Sequence, residues 1–475
     1  MSPTHEQMNS STSPTDLPTT NCNDLITQEF LQNALKMEAN GGSAPEIVSY
    51  LATPGSKPGD NYASIIYSVD INLSDGTKRH LLIKCYPNHP SRQELTNKMN
   101  LFFKECEVYS KWMPELRRMQ KEVFGLDKED AVKLPYAKFV HGECIDFQSE
   151  EGDARKSGPI SSLDNYIIME DLRKTHGFRM TSRLEPLDFD HMKLVISALA
   201  RVHSVSWAYR NHVEENITQK FPCLVTNMPD EEVAIFSNVV RSNLEQAKGI
   251  YDKEFGPKNA YTAVADKFSG MIDRISSLFT GSGTAEGFEK LMRVKTSDKF
   301  GRDAENPEPW RIIIHGDCWS NNMLFRYDSA TGKPLEVILL DLQKPLEACV
   351  VNDLQNLIYL CTTLEFRRKY LDDLLQLYHD TFNGVCEKLR TPTLPGFCMD
   401  SLRFRYHRAK FFGYYMAMMG IPIILKEEVA NMEDMGDDKN LTDAFTEICS
   451  GAGTNNTVKE RLIEVTREMM EDGIF

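Results

Sequence analysis

Two carboxylates and a carboxamide sit at spacings that could handle a phosphoryl group. The run His315-Gly316-Asp317-Cys318-Trp319-Ser320-Asn321-Asn322 follows the apolar stretch Trp310–Ile314 and sets Asp317 five residues ahead of Asn322. Asp341 closes a second apolar stretch, 336–340, and is followed by Leu342 and Gln343. Moving a phosphoryl group to a hydroxyl takes one carboxylate to accept or orient the hydroxyl proton. It also takes a carboxylate and an amide oxygen to hold the magnesium ions that bridge the phosphates. Asp317 suits the first task; Asn322 and Asp341 suit the second. A loop between two strands would set Asp317 and Asn322 on one turn, and a returning hairpin would bring Asp341 beside them. Two other readings use the same residues. His315 and Asp317 could form a turn network at a strand end. His315, Asp317 and Asp341 could also ligate a catalytic zinc or iron, although the spacing lacks a second histidine.

The His-x-Asp-x4-Asn spacing is also that of a protein-kinase catalytic loop, and the first half of the chain carries residues that would complete such a site. Lys84 ends the stretch Leu81-Leu82-Ile83-Lys84 within the β-like run Arg79–Tyr86, where a kinase keeps the lysine that pairs with the α- and β-phosphates. Glu105, on the helical stretch that follows, can pair with that lysine; Glu107, on another face of the same helix, is its local rival. The turn Gly55-Ser56-Lys57-Pro58-Gly59-Asp60-Asn61-Tyr62-Ala63-Ser64 precedes the first β-like run, and its backbone N–H groups could cradle phosphates near Asn61 and Ser64. The apolar run Tyr166-Ile167-Ile168-Met169 enters the acidic joint Glu170-Asp171-Leu172, where the backbone of Glu170 and Leu172 could bind an adenine ring.

These residues need elements to hold them. Apolar spacing predicts a helix over 24–38, then a Gly- and Pro-bearing stretch over 41–59. Residues 63–73 and 79–86 read as a hairpin around Ser74-Asp75-Gly76-Thr77, since Asp-Gly is a strong turn signal. A helix over 95–116 and strands over 136–140 and 166–169 follow, with a loop over 148–158. This order describes a mixed α+β lobe with an antiparallel sheet. Beyond Asp171 the periodicity is helical over 190–209, 231–247, 260–279, 352–390 and 402–425. One β island, 310–314, 323–326 and 336–340, sits within that half. Residues 281–309 read as an exposed connection and 433–438 as an acidic surface run.

The 475 residues suit two or three lobes, and 41% hydrophobic with 26% charged residues is ordinary for a globular protein. A formal net charge of −15 disfavours nucleic acid as the main partner, although a locally basic pocket could still bind a nucleotide. No stretch reaches the roughly 18 apolar residues of a membrane span. Residues 1–20 are rich in Ser, Thr and Pro with no apolar run, so they read as a disordered tail and not as a signal peptide. Eleven scattered cysteines without a C-x-x-C suggest a reducing compartment, with the cytoplasm as the expectation.

Taken together, the motifs Gly59-Asp60-Asn61-Tyr62-Ala63-Ser64, Ile83-Lys84, Glu105-x3-Tyr109, Ile168-Met169-Glu170-Asp171-Leu172, Leu199-Ala200-x-x-His203, His315-Gly316-Asp317-x-Trp319-x-x-Asn322 and Leu340-Asp341-x-Gln343 resemble the ecdysteroid kinase-like, or CHK kinase-like, family. The resemblance runs from about residue 25 to about residue 420. The family belongs with choline kinases and aminoglycoside phosphotransferases. It implies the two-lobed protein kinase-like fold, with an antiparallel-sheet N-lobe over 21–169, a hinge over 170–175 and a mainly helical C-lobe over 176–475. It also implies transfer of the γ-phosphate of ATP, with Mg2+, to a hydroxyl on a small molecule. On that resemblance Asp317 is the base, Asn322 and Asp341 hold magnesium, Lys84 anchors phosphate beside Glu105, and Glu170 to Leu172 form the hinge. The family usually has Phe where this chain has Leu342; the position stays apolar. Trp319 is expected to anchor the loop, His203 to be a packed histidine, and Asp353 to cap a helix. The acceptor pocket is expected from 190–260 and 350–425. A kinase-fold binding protein without catalysis is the alternative from another class. A protein kinase is the third reading, and it is opposed by the lack of an Ala-Pro-Glu run after Asp341.

Overall fold

A computed structural model describes residues 25–39, 42–56, 64–87, 90–150, 152, 160–225, 228, 230–279, 310–426, 449–451, 453 and 455–475. The expected tail at 1–20, most of the loop over 148–158, the connection over 281–309, the acidic run over 433–438 and Asn61 lie outside the described residues.

Helix α1 (Gln28–Glu38) starts where Thr27 caps Phe30 N–H, and it lays Leu31, Ala34 and Leu35 on the sheet. The five-stranded sheet follows: β1 (Ile47–Pro54), β2 (Ile65–Leu73), β3 (Lys78–Cys85), β4 (Phe139–Glu143) and β5 (Tyr166–Glu170). Its order is β1-β2-β3-β5-β4, antiparallel throughout. The β2–β3 hairpin forms as the Asp-Gly signal predicts. Gly76 takes φ +84°, and Asp75 accepts from the Thr77 N–H and hydroxyl at 2.9 and 2.6 Å. Strand β1 is a correction to the Gly- and Pro-bearing stretch expected over 41–59. It is an edge strand with a mostly exposed face, so it lacks the apolar alternation that marks a half-buried strand.

The helix expected over 95–116 is broken. It comprises α2 (Pro90–Lys98), α3 (Leu101–Glu107), a π-helical turn (Val108–Trp112) and α4 (Met113–Glu122). Asn100 interrupts it in the left-handed region at φ +54°, which Asn tolerates better than most residues. Its carboxamide is tied down, donating to Asp146 at 2.7 Å and accepting from Phe147 N–H at 3.2 Å. The strand expected over 136–140 lies three residues later, as β4.

The second half is mainly helical. It holds α5 (Leu172–His176), α6 (Phe189–His212), α7 (Ile217–Lys220), α8 (Asp230–Phe255), α9 (Ala260–Ser269) and α10 (Ile272–Ser276). After the β island come α11 (Val350–Cys361), α12 (Leu364–Lys388), α13 (Met399–Arg408), α14 (Lys410–Ile424) and α15 (Asn456–Glu471). The helices expected over 352–390 and 402–425 are thus each two. Thr363 starts the second of the first pair by capping Phe366 N–H. The island has four strands: β6 (Ile312–Ile314), β7 (Met323–Tyr327), β8 (Pro334–Leu339) and β9 (Leu346–Ala348). β7 pairs with β8, while β6 pairs with β9, which the sequence reading did not contain. One core joins α3–α4 to the helical half, and a smaller one lies between α1 and the sheet. No helix among the described residues is long and apolar enough to cross a membrane.

Candidate active site

Three elements far apart in sequence meet at one ammonium. Lys84, next to last in β3, donates to Glu105 of α3 at 2.6 Å and to Asp341 at 2.6 Å. Glu105, not Glu107, is the partner; Glu107 pairs with Lys111 on the helix surface. Burial works against the Lys84 charge, but Asp341 and Glu105 outweigh it and hold its pKa above the ordinary lysine value. Burial and the neighbouring Asp341 push the Glu105 carboxyl up, against the pull of Lys84 and a hydrogen bond from Leu342 N–H. Asp341 takes φ +64°, an uncommon conformation for a residue with a Cβ. Gln343 steadies its other oxygen, donating to Oδ2 at 2.7 Å.

The loop between β6 and β7 holds Asp317 and Asn322. The Asn322 side-chain amide donates to the Asp317 backbone carbonyl at 2.8 Å, and the Asn322 backbone carbonyl accepts from Leu340 N–H at 2.9 Å. That backbone bond sets the strand end that leads into Asp341 beside Asn322. His315 does not ligate a metal with them. Its Nε2–H donates to Leu340 O at 2.9 Å, and its Nδ1 accepts from Asp317 N–H at 3.3 Å, so both ring nitrogens serve the loop. Gly316 is obligatory, since it takes φ +78° and a Cβ there would lie 2.1 Å from Lys344 O.

Beneath the loop lies a support that sequence reasoning missed. Asp353 does not cap a helix; α11 begins after Cys349. Its carboxylate instead accepts from His315 N–H at 2.7 Å and Gly316 N–H at 2.9 Å. His203, buried as expected, approaches Asp353 at 3.1 Å and Tyr378 OH at 2.8 Å. Burial pushes the Asp353 carboxyl up, yet the hydrogen bond and charge of His203 and the contacts with His315 bring it below the usual aspartate value. Trp319 is partly buried against the core, in line with an anchor. Lys344 is a second missed residue. Its ammonium lies 3.1 Å from Asp317 Oδ2, and the only signal was its place just after Gln343.

At the joint after β5, Glu170 N–H donates to Lys138 O at 2.9 Å, and Leu172 C=O receives the N–H that closes α5. A base held here would use Glu170 C=O and Leu172 N–H. The joint is fastened to β2 and to the β1–β2 connection: Asp171 accepts from Ser68 of β2 at 2.7 Å and from Arg173 at 2.9 Å, and Arg173 donates to Gly55 O at 2.6 Å. Ser64 is buried at the start of β2.

Asp317 also lines a cavity of about 230 Å3, against the roughly 10–15 Å3 that one water needs on the same measure. Its wall takes Phe236 and Met419 from the expected helical ranges. It also takes Met99, Phe103 and Gln148 from the first half, so the helical ranges expected to build an acceptor pocket do not line this cavity alone. The donor set fits magnesium. Asp341 and Asn322 supply hard oxygens, a Lys84 ammonium already rests on Asp341 Oδ1, and Mg2+ is commonly held by one or two carboxylates plus substrate phosphates. Among the described residues, no group of three or more His, Cys, Asp and Glu side chains could hold a metal by itself.

The sequence model of the ecdysteroid kinase-like family matches residues 58–391. Among solved structures, the chain is similar to a Plasmodium vivax ethanolamine kinase, with 12% identity and a TM-score of 0.33, covering 84% of this chain and 82% of that one. It is also similar to the GDP complex of aminoglycoside 2'-phosphotransferase-IIIa, with 10% identity and a TM-score of 0.38, covering 93% of this chain and 99% of that one. No curated protein sequence matches the chain.

Proposed function

The chain belongs to the ecdysteroid kinase-like family, and on that premise we propose that it moves the γ-phosphate of ATP to a hydroxyl of a small molecule. The observation that carries this reading is Lys84, held between Glu105 and Asp341 across 257 residues of sequence while Asp317 faces an adjoining cavity. The cavity would seat the acceptor. Asp317 would accept the proton of the attacking hydroxyl as the oxygen bonds to phosphorus and ADP leaves, with Lys344 holding the carboxylate in place.

Lys84 would bind the α- and β-phosphates, positioned by Glu105. Asn61 and Ser64 would border the phosphates from the Gly-bearing turn, and Glu170 C=O with Leu172 N–H would orient the adenine. Asn322 and Asp341 would hold Mg2+, which when bound neutralises charge on the phosphates. The division into an N-lobe over 21–169, a hinge over 170–175 and a C-lobe over 176–475 is part of this proposal, as is a cytoplasmic location. The free cysteines among the described residues support a reducing compartment.

Incubating the purified chain with γ-labelled ATP, Mg2+ and a fractionated metabolite extract tests the reading. Label should appear in small hydroxylated molecules. Label in protein substrates alone would support the protein-kinase reading, and no Mg2+-dependent transfer to any acceptor would sink the proposal.

A further inference from the structure

The cavity beside Asp317 has a second charged wall. Lys104 precedes Glu105 on α3, about 100° away around the helix, so it lies on a different face from the Lys84 partner. Its residue is only 9% exposed, and its ammonium donates to Val225 O at 2.9 Å. The titratable groups that act on it are the Cys223 thiol and the Lys344 ammonium, and among the described residues no carboxylate pairs with it. This sets it apart from the other buried lysines. Lys84 lies between Glu105 and Asp341, and Lys410 lies between Glu468 and Asp472. Burying an ammonium without an anion is strongly unfavourable. One backbone carbonyl engages one of its three donors. Burial, assisted by Lys344, pushes its pKa down to about 8, which still leaves the cation as the main form at neutral pH. The cavity lining is largely apolar, with Met99, Phe103, Leu346, Met416 and Met419, and it includes the Asp146 carboxylate, which accepts from the Asn100 side chain at 2.7 Å.

We infer that Lys104 is a specificity residue that binds an anionic group on the acceptor. The acceptor is an amphipathic hydroxy acid: its apolar body lies along the methionine- and phenylalanine-lined wall, its acid group rests on Lys104, and its hydroxyl reaches Asp317. This rests on the phosphotransfer reading for the reacting end. The anion supplies the counter-charge that no described carboxylate provides, and a neutral analogue leaves the buried ammonium without one. Discrimination is therefore large, because a site built for a polar group rejects the analogue that lacks it.

The test is direct binding by calorimetry to the full chain, using ω-hydroxydecanoate and cholate, each against its methyl ester. At least one acid should bind about tenfold or more tighter than its ester, a gap of about 1.4 kcal/mol. Lys104→Met should level that pair, Lys104→Arg should keep the preference, and Lys104→Met should melt no lower than wild type, because it removes an unpaired buried charge. Equal binding of acid and ester, no binding of either acid, or a preference that survives Lys104→Met would each overturn the inference. Transfer from labelled ATP separates it from the premise. Asp317-dependent transfer to acids and esters alike, with Lys104→Met lowering both equally, would assign Lys104 to the phosphoryl group and overturn the inference while the kinase reading stands. An acid preference in binding with no transfer at all would retain the anion site and remove the kinase.

Discussion

Two lysines in this molecule sit in the same chemical setting and differ in what surrounds it. Lys84 and Lys410 are both buried, and each bridges two carboxylates. Around Lys410 the network is closed. Glu468 also binds Arg367 at 2.7 Å, and Asp472 also binds Arg368 at 2.9 Å, so the lone pairs of both acids are filled by cations and α15 is clamped to α12 and α14. Around Lys84 the network is open. The Asp341 side chain keeps 22% of its exposure, it sits at φ +64°, and its second oxygen is met by a neutral carboxamide instead of a cation. A buried ion pair is thus weak evidence of function by itself. Residual room for another cation on a strained carboxylate, next to a cavity, is what separates a site from a clamp.

Replacing each lysine by methionine should separate the two most strongly. Lys84→Met should lower phosphotransfer by about 10^2–10^3-fold, the usual effect of losing one charge-stabilising group. It should cost less stability than Lys410→Met, because Asp341 keeps 22% of its side-chain exposure and a hydrogen bond from Gln343. Lys410→Met should do the reverse. It should cost stability near the low end of the roughly 3–5 kcal/mol that breaking a buried pair costs, since Arg367 and Arg368 remain, and it should leave kcat near wild type. Parallel thermal melts and initial rates check both. If both variants lose stability and keep activity, the contrast collapses.

A smaller effect should come from beneath the loop. Asp353→Asn keeps the shape but cannot accept as well from both the His315 and Gly316 N–H groups. It should lower kcat about tenfold or more with little change in the affinity for ATP, since it acts through Asp317 placement. Steady-state kinetics that showed a KM effect alone would contradict this. The smallest effect is in acid. Burial raises the Asp472 carboxyl, but Lys410 and Arg368 bring it down to about 2. A folded value below the unfolded one, about 3.9, stabilises the protein fully above that pH and loses the contribution as pH falls toward the folded value. The stability gap between wild type and Asp472→Asn should therefore be constant from about pH 7 to about pH 5 and close between about pH 4 and about pH 2. A gap that widened on acidification would reverse the sign.

Much of the site was legible because local patterns carry it. The Asp75-Gly76 turn fixes the hairpin that bears Lys84, and the His315-to-Asn322 spacing sits between apolar runs that become β6 and β7. Strand β1 escaped because an edge strand with a wet face has no alternation to read. The break at Asn100 escaped because its cause is distant: the carboxamide is satisfied by residues 146 and 147. His203, Asp353 and Tyr378 come from three separate helices, so only packing reveals that they hold the loop. Lys344 reaches Asp317 only because the backbone turns at Asp341, and nothing in its neighbours announces that turn.

The central claim is that the open cluster beside Asp317 is a phosphotransfer site. It is tested most directly by γ-phosphate transfer from ATP by wild type and Asp317→Asn, on whichever acceptor the metabolite screen yields, with both proteins shown to melt alike. Loss of the general base should lower kcat by about 10^2–10^4-fold. A rate for Asp317→Asn equal to wild type would contradict the account.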